Sequence, residues 1–274
     1  LKTCFGEGIL FNLKKRTVEG LYGGFEYVQE GHVTAIVRLE NGGKTAAALM
    51  RDSGCESVAA TGRGVLSRFS WSEGRYGVKR RCKRGGMMRF LLRDHYLFVN
   101  RPLKEFTIHL RVQEQGLPVP GLLGVCWRRR GPFYSGALAT EELPGVDLDA
   151  WLRTNQGDAA TVEPVMLACG ALLRTMHDRG VLHGDLQVKN VFISGSRVYL
   201  LDFDRARIQR HIGKWRRERN LLRLRRSFDK RGHGRAAFAW LVRGYGLSGF
   251  SPWLNGLYTI KGIFSDIMNI RRRV

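Results

Sequence analysis

The chain has no Cys-x-x-Cys pair. Its five cysteines, Cys4, Cys55, Cys82, Cys126 and Cys169, are odd in number and scattered. That argues against a structural zinc and fits reduced thiols of a cytosolic protein. No run of ~18 apolar residues is evident, so no membrane span is expected. The longest apolar stretch near the C-terminus, residues 236–264, is broken by Arg243, Lys261 and several glycines. Residues 1–13 lack the apolar centre and small-residue cleavage site of a signal peptide, and the first residue is Leu rather than Met, which reads as an altered or truncated start. No repeat or low-complexity segment stands out. Acidic residues are scarce: 24 Asp and Glu face 46 Lys and Arg, a formal charge of +22. A charge of that size asks for an anionic counterpart, be it nucleic acid, an anionic membrane surface or a polyanionic substrate. What is present is globular in character, with 43% hydrophobic and 10% aromatic residues. The 274 residues suffice for one two-lobed domain or two small ones.

Local patterning separates two regions. Residues 25–28 and 32–38 read as strands joined by a turn at Glu30-Gly31, and residues 44–50 as a short helix. Strands are also expected at 65–69 and 76–82. Pro102 sits where a helix starts, with Phe106, Leu110 and Gln113 at helical spacing, and Pro118 and Pro120 end it. Strands follow at 122–128 and 134–140. After the break at Leu143-Pro144-Gly145 the pattern turns helical, at 147–153 and 162–177, the second apolar enough for a buried central helix. Short strands at 191–193 and 198–201 precede a basic helix over 213–230. The expected fold is α+β, with a strand-rich N-lobe over 1–142, a helical C-lobe over 143–230 and a basic, aromatic extension over 231–274.

The informative segment runs from Val181 to Ile193: Val-Leu-His-Gly-Asp-Leu-Gln-Val-Lys-Asn-Val-Phe-Ile. It sets Asp185 on a loop, Asn190 five residues on, and Asp202 after a short hairpin. Phosphoryl transfer wants those parts. One carboxylate orients the acceptor hydroxyl and takes its proton, while an amide oxygen and a second carboxylate hold magnesium against nucleotide phosphates. The first half offers partners. Glu105, on the helix after Pro102, can pair with a strand cation that meets the phosphates. Lys79 and Arg80 are the two candidates; they have opposite strand parity, so one should point inward and the other to solvent. Gly62-Arg63-Gly64 can let backbone amides approach phosphates. Glu141 and Leu143 sit where the lobes would join, and their backbone could meet an adenine edge.

The segment resembles the catalytic loop and metal-binding motif of protein kinases. The resemblance implies a bilobal protein-kinase-like fold with ATP and Mg2+, Asp185 as catalytic base, Asn190 and Asp202 as metal ligands, and His183 as a structural residue of the loop. The chain departs from protein kinases in its His-Gly-Asp loop, in Gln187, in Asp202-Phe203-Asp204 and in the absence of an Ala-Pro-Glu segment, on which a protein substrate would dock. Further pieces are Lys83-Arg84-Gly85-Gly86-Met87-Met88, Asp94-His95-Tyr96-Leu97-Phe98, Glu105-Phe106, Gly116-Leu117-Pro118-Val119-Pro120, Glu141-Glu142-Leu143-Pro144, Met176-His177 and Arg225-Arg226-Ser227-Phe228. Together, over residues 60–230, they resemble the bacterial 3-deoxy-D-manno-octulosonic acid (Kdo) kinases, relatives of the lipopolysaccharide core heptose kinases. That implies phosphate transfer from ATP to a Kdo or heptose hydroxyl of a lipid-linked lipopolysaccharide precursor. The protein would then be cytoplasmic, peripheral on the inner face of the bacterial inner membrane. In that family the strand cation is an Arg that falls on Arg80, which leaves Lys79 against Arg80 open.

The charge is then accounted for by an anionic acceptor in an anionic leaflet. Two segments are candidates for the membrane surface: the helix over 213–230, basic on one side and apolar on the other, and the aromatic tail over 236–270. For the helix, packing on the protein core with a solvated basic face is an equal alternative. Two rival functions remain: a kinase for another small molecule or a protein, and a basic pseudokinase scaffold. Asp185, Asn190 and Asp202 are all present, which disfavours the scaffold. No helix-turn-helix, zinc-finger or aromatic RNA-binding signature occurs, so nucleic acid is not the expected partner.

Overall fold

The computed structural model describes residues 22–60, 64–82, 95–253 and 256. They divide into two units. One holds the described residues up to Leu110 together with Pro120–Leu143; the other holds Arg111–Val119 and the described residues from Pro144 onward. Assigning 111–119 to the second unit departs from a single cut near Leu143. The reason is local: Pro118 accepts a backbone hydrogen bond from Leu200 (2.9 Å), deep in the second unit.

The first unit is an antiparallel sheet of β1 (Phe25–Glu30), β2 (Val33–Arg38), β3 (Cys55–Ala60), β4 (Gly64–Ser72), β5 (Arg75–Arg81), β6 (Tyr96–Leu97), β7 (Leu122–Arg130) and β8 (Phe133–Glu141), with helices α1 (Gly42–Arg51) and α2 (Arg101–Glu114). The strand order is β1-β2-β7-β8-β5-β4-β3, and β6 pairs with β8. The Glu30-Gly31 turn falls as expected, with Gly31 at φ +55° joining β1 to β2. Strand β3 has no counterpart among the expected elements. Both faces of the sheet are covered. On one, Ala46, Ala48 and Leu49 of α1 pack with Val37, Phe69, Trp71 and Leu123. On the other, Leu103, Phe106 and Leu110 of α2 pack with Phe25, Ile36, Leu122 and Val125. A sheet buried on both sides needs continuous rather than alternating apolar strands, and Leu122, Leu123, Val125 and Cys126 of β7 supply one.

The second unit holds β9 (Val146–Asp147), α3 (Leu148–Thr154), α4 (Ala159–Asp178), β10 (Val181–Leu182), a 3-10 turn (Val188–Asn190), β11 (Val191–Ser194), β12 (Arg197–Leu200), β13 (Arg207–Ile208), α5 (Lys214–Asp229) and α6 (Arg235–Tyr245). Asp147 caps α3, its carboxylate accepting from Ala150 N–H at 2.9 Å. Helix α4 has the length and hydropathy to cross a membrane, which the sequence reading did not anticipate. Here it is a core helix: Met166, Leu173 and Met176 are buried, and it lies against α6. That helix belongs to the C-terminal extension, of which residues 231–253 and 256 are described. Its stripe of Ala237, Phe238, Leu241 and Tyr245 is buried within the second unit.

Glycines set how closely α4 and α6 approach. A Cβ on Gly170 would run into the Leu241 carbonyl oxygen, and one on Gly244 into that of Leu167. In an open helix, Gly→Ala stabilises by about 1 kcal/mol. At this crossing the sign reverses. Gly170→Ala is expected to destabilise by about 2 kcal/mol through overpacking, lowering the thermal midpoint by about 5 °C in a calorimetric or circular-dichroism melt.

Candidate active site

The loop after β10 owes its shape to His183, which is fully buried. The backbone N–H of Asp185 donates to its Nδ1 (3.2 Å), so that nitrogen carries no proton. Nε2–H therefore donates to the Leu201 carbonyl (2.9 Å). Burial holds the imidazole below its ordinary pKa, in the neutral form this pattern requires. One ring thus ties the loop carrying Asp185 to the residue before Asp202. Phe203, also fully buried, lies 5.3 Å from the ring.

Asn190 is fixed on both sides. Its Nδ2 donates to the Asp185 carbonyl (2.7 Å), and its own carbonyl accepts from Leu201 N–H (2.9 Å). With the amide nitrogen committed, the amide oxygen is turned the other way. Asp202 adopts φ +66°, a left-handed conformation that Asp tolerates at a cost, and its carboxylate receives the Asp204 N–H at 3.4 Å. Gly184 explains the His-Gly-Asp spelling: any Cβ there would strike the Arg205 carbonyl oxygen.

Helices α4, α5 and α6 brace this loop through a directional chain. The Tyr245 hydroxyl donates to His177 Nδ1 (2.9 Å), His177 Nε2–H to Asn220 Oδ1 (3.0 Å), and Asn220 Nδ2 to the His183 carbonyl (2.7 Å). Ser227 Oγ accepts from Val188 N–H (3.2 Å). Arg223 reaches the loop from α5, donating to the Gly184 carbonyl and lying 3.4 Å from Asp185 Oδ1. Asn220 and Tyr245 were not singled out from the sequence, and Arg223 stood there only among the basic residues of the 213–230 helix. Their only signal there was spacing along two helices, which does not say which loop a helix will face.

In the first unit Lys79 and Arg80 make different contacts. The Lys79 side chain is 4% exposed, and its ammonium donates to the carbonyls of Ala48 (2.7 Å) and Leu49 (2.9 Å) and to Asp52 Oδ1 (2.6 Å). All three donors are spent on the C-terminus of α1, where helix carbonyls lack partners. The hydrogen bond from Lys79 holds the Asp52 carboxyl below its ordinary value. Lys79 is therefore occupied as a helix cap. Neither candidate points to solvent as parity suggested, because both sheet faces are covered. Arg80 is the one that meets Glu105, whose carboxylate is 1% exposed. Glu141 accepts from Arg38 (2.9 Å) and Arg75 (3.1 Å) and spends its N–H on the Gly121 carbonyl (2.8 Å). Leu143, half-buried, ends the first unit. Gly64 begins β4 opposite Ala60. Gly62, Arg63 and the Lys83–Asp94 motif residues lie outside the described residues.

Helix α5 shows the packed alternative. Its apolar residues Leu221, Leu222, Leu224 and Phe228 are buried in the second unit, and what it exposes is basic.

Residues 58–245 match the model of the lipopolysaccharide kinase (Kdo/WaaP) family. A 3-deoxy-D-manno-octulosonic acid kinase of Xylella fastidiosa (strain 9a5c) is 34% identical over 179 residues, 64% of this chain and 70% of that protein. One of Xanthomonas campestris pv. campestris (strain B100) is 36% identical over 160 residues, 57% of this chain and 62% of that protein. A solved structure, WaaP in complex with acyl carrier protein, aligns over 84% of this chain and 90% of its own with a TM-score of 0.48 and 19% identity. These relatives place the chain among phosphotransferases with an alcohol group as acceptor. The chain belongs to the lipopolysaccharide kinase (Kdo/WaaP) family.

Two outcomes test this geometry. Burial depresses His177 to about 4 from 6.5, and His109, donating to the Pro120 carbonyl, likewise to about 4. The unfolded chain therefore takes up protons first. The stability from each neutral ring is whole above about pH 6.5 and is lost as pH falls toward 4, by about 3 kcal/mol per ring. Urea unfolding across that range should show the decline, with a shallower slope in His177→Gln. Separately, Lys79→Met should cost about 2 kcal/mol by leaving the Ala48 and Leu49 carbonyls unpaired, whereas half-exposed Asp52 keeps Arg81. Nucleotide affinity should stay intact, whereas Arg80→Met should weaken it; equilibrium binding of an ATP analogue separates the two.

Proposed function

We propose that this chain transfers the γ-phosphate of ATP to a hydroxyl of Kdo on a lipid-linked lipopolysaccharide precursor. The observation that carries the reading is the His183-centred fastening, which presents Asp185 on its loop beside Asn190 and the Asp202 segment. ATP use follows from the family, and Kdo rather than heptose is favoured by the relatives' names.

The sugar hydroxyl oxygen attacks the γ-phosphorus as the bond to the β-γ bridging oxygen breaks and ADP leaves. The hydroxyl proton passes to the Asp185 carboxylate. That side chain is 37% exposed, so an acceptor can reach it. The donor set suits magnesium: an amide oxygen oriented by its committed nitrogen, and a carboxylate, both hard ligands. No cluster of three His, Cys, Asp or Glu occurs among the described residues. Two protein ligands with phosphates and waters are what Mg2+ commonly takes, and Asn190 and Asp202 would hold it. Bound there, it would neutralise developing phosphate charge. In the first unit, Arg80, held by Glu105, is the proposed phosphate contact.

The formal charge of +22 supports a place on the cytoplasmic face of the inner membrane, since each basic residue near an anionic leaflet adds about 1 kcal/mol of attraction. The test is transfer from labelled ATP, with magnesium, to purified Kdo-bearing lipid A. The wild type should label the acceptor, and Asp185→Ala should lose at least about a hundredfold in kcat while keeping its melting temperature. Near-normal turnover in that variant would sink the base assignment. Labelling of heptose-extended cores alone would move the acceptor outward.

A further inference from the structure

Helix α5 carries Lys214, Arg216, Arg217, Arg219, Arg223, Arg225 and Arg226 against only Glu218 and Asp229. The way these charges are disposed is uneven. Glu218 is turned inward, 1% exposed, where it accepts from Ser251 N–H (2.8 Å). Arg216 donates to Gln209 (2.7 Å) and Arg217 pairs with Asp178 (2.5 Å). Among the remaining cations, Arg219 and Arg223 stand in a row with Trp215 at i, i+4 and i+8, all three exposed. Arg219 has no carboxylate partner among the described residues; its guanidinium lies 5.2 Å from the Trp215 ring centroid. Among the described residues, the carboxylate within ion-pair reach of Arg223 is that of the proposed base, Asp185, at 3.4 Å.

Like charges at i, i+4 repel and destabilise a helix. No acid one turn away offsets this pair: Trp215 precedes Arg219, and Ser227 follows Arg223. A face kept only for solubility would be relieved by an acid at such a spacing. An exposed indole, 45% accessible, is likewise a poor solubility device. The row spans about 12 Å of helix axis and ends at the catalytic loop. At position 187, where protein kinases carry a loop cation, this chain has Gln, so Arg223 brings the positive charge to Asp185 from a helix instead.

We propose that Trp215, Arg219 and Arg223 form a track for the acceptor, an inference that rests on the Kdo-kinase reading, and that the occupant is the acceptor's own anionic sugar chain rather than membrane lipid. Arg223 is a positioning residue for Asp185. It holds the Gly184 carbonyl and one carboxylate oxygen, leaving the other oxygen toward the acceptor hydroxyl. Arg219 pairs with a carboxylate or phosphate further along the acceptor, and the Trp215 ring stacks on a sugar face.

The experiment uses the whole protein and Kdo-bearing lipid A in neutral detergent micelles, which contain no anionic lipid. Trp215→Ala and Arg219→Ala, both remote from Asp185, should raise the acceptor KM about tenfold, as expected when one charge-assisted or stacking contact is lost. The KM for ATP and kcat should stay at wild-type values. Arg223→Ala should lower kcat, and Arg223→Lys should restore part of it because the charge returns without the fork. Equilibrium binding of the same acceptor without ATP separates this proposal from the reaction itself. Binding weakened about tenfold by Arg219→Ala, with no wild-type transfer, would keep the track and overturn the reaction. Wild-type transfer with acceptor binding unchanged in Trp215→Ala and Arg219→Ala would overturn the track. So would losses that appear only on anionic vesicles and vanish in the micelles, because the helix would then be reading the membrane.

Discussion

The second unit depends on one buried ring staying neutral. His183 accepts from the Asp185 backbone and donates to Leu201, so a single side chain fixes the loop bearing the proposed base and the approach to Asp202. Only the tautomer with Nδ1 bare and Nε2 protonated does both. Burial secures the neutral form, and the Leu201 carbonyl selects the tautomer. A charged imidazole would turn Nδ1 into a donor facing another donor. The same logic recurs one layer out, where His177, also neutral, passes a chain of hydrogen bonds from Tyr245 through Asn220 to the His183 carbonyl. Three helices thereby act on a loop of a few residues. Their packing, including the glycine crossing of α4 and α6, belongs to the site as much as to the fold.

The first unit answers to a different constraint, a sheet covered on both faces. A solvated face would have let one of two adjacent cations on β5 point outward. With α1 on one side and α2 on the other, each must find an anion or a set of carbonyls. Lys79 finds the end of α1, and Arg80 finds Glu105. The two look interchangeable in sequence. They differ because one helix offers its carbonyl terminus to the sheet and the other a buried carboxylate.

Much of this was legible in the sequence where a local rule applied. The turn at Gly31, the Pro102 helix start and the Asp185, Asn190 and Asp202 spacing all follow from short-range chemistry. The parity argument for Lys79 and Arg80 failed because alternation says which residues share a face, not whether that face is wet. The extra strand Cys55–Ala60 was missed; its Glu, Ser and Ala content carries little β signal. Helix α5 was visible as basic and apolar in period, but the partner of its apolar side was not. That side meets the protein, since Leu221, Leu222, Leu224 and Phe228 are all buried. Asn220 sat unremarked, and Arg223 counted only as one basic residue among several, because a helix residue acquires meaning only from what the tertiary fold sets opposite it.

Gly184 shows how one position links these levels. The strand pair β10–β13 brings the backbone at Arg205 against the loop, and the space left beside residue 184 admits no Cβ. A side chain there would have to push the two segments apart, straining the loop that His183 pins. With glycine in place, the Gly184 carbonyl receives the Arg223 guanidinium from α5. The cation beside Asp185 therefore comes from a distant helix and is steered by backbone, rather than from the loop's own residue 187. A Gln at 187 and a Gly at 184 read as two separate departures in the sequence; in the structure they are parts of one arrangement, in which close backbone packing on one side of the loop accompanies an external arginine on the other.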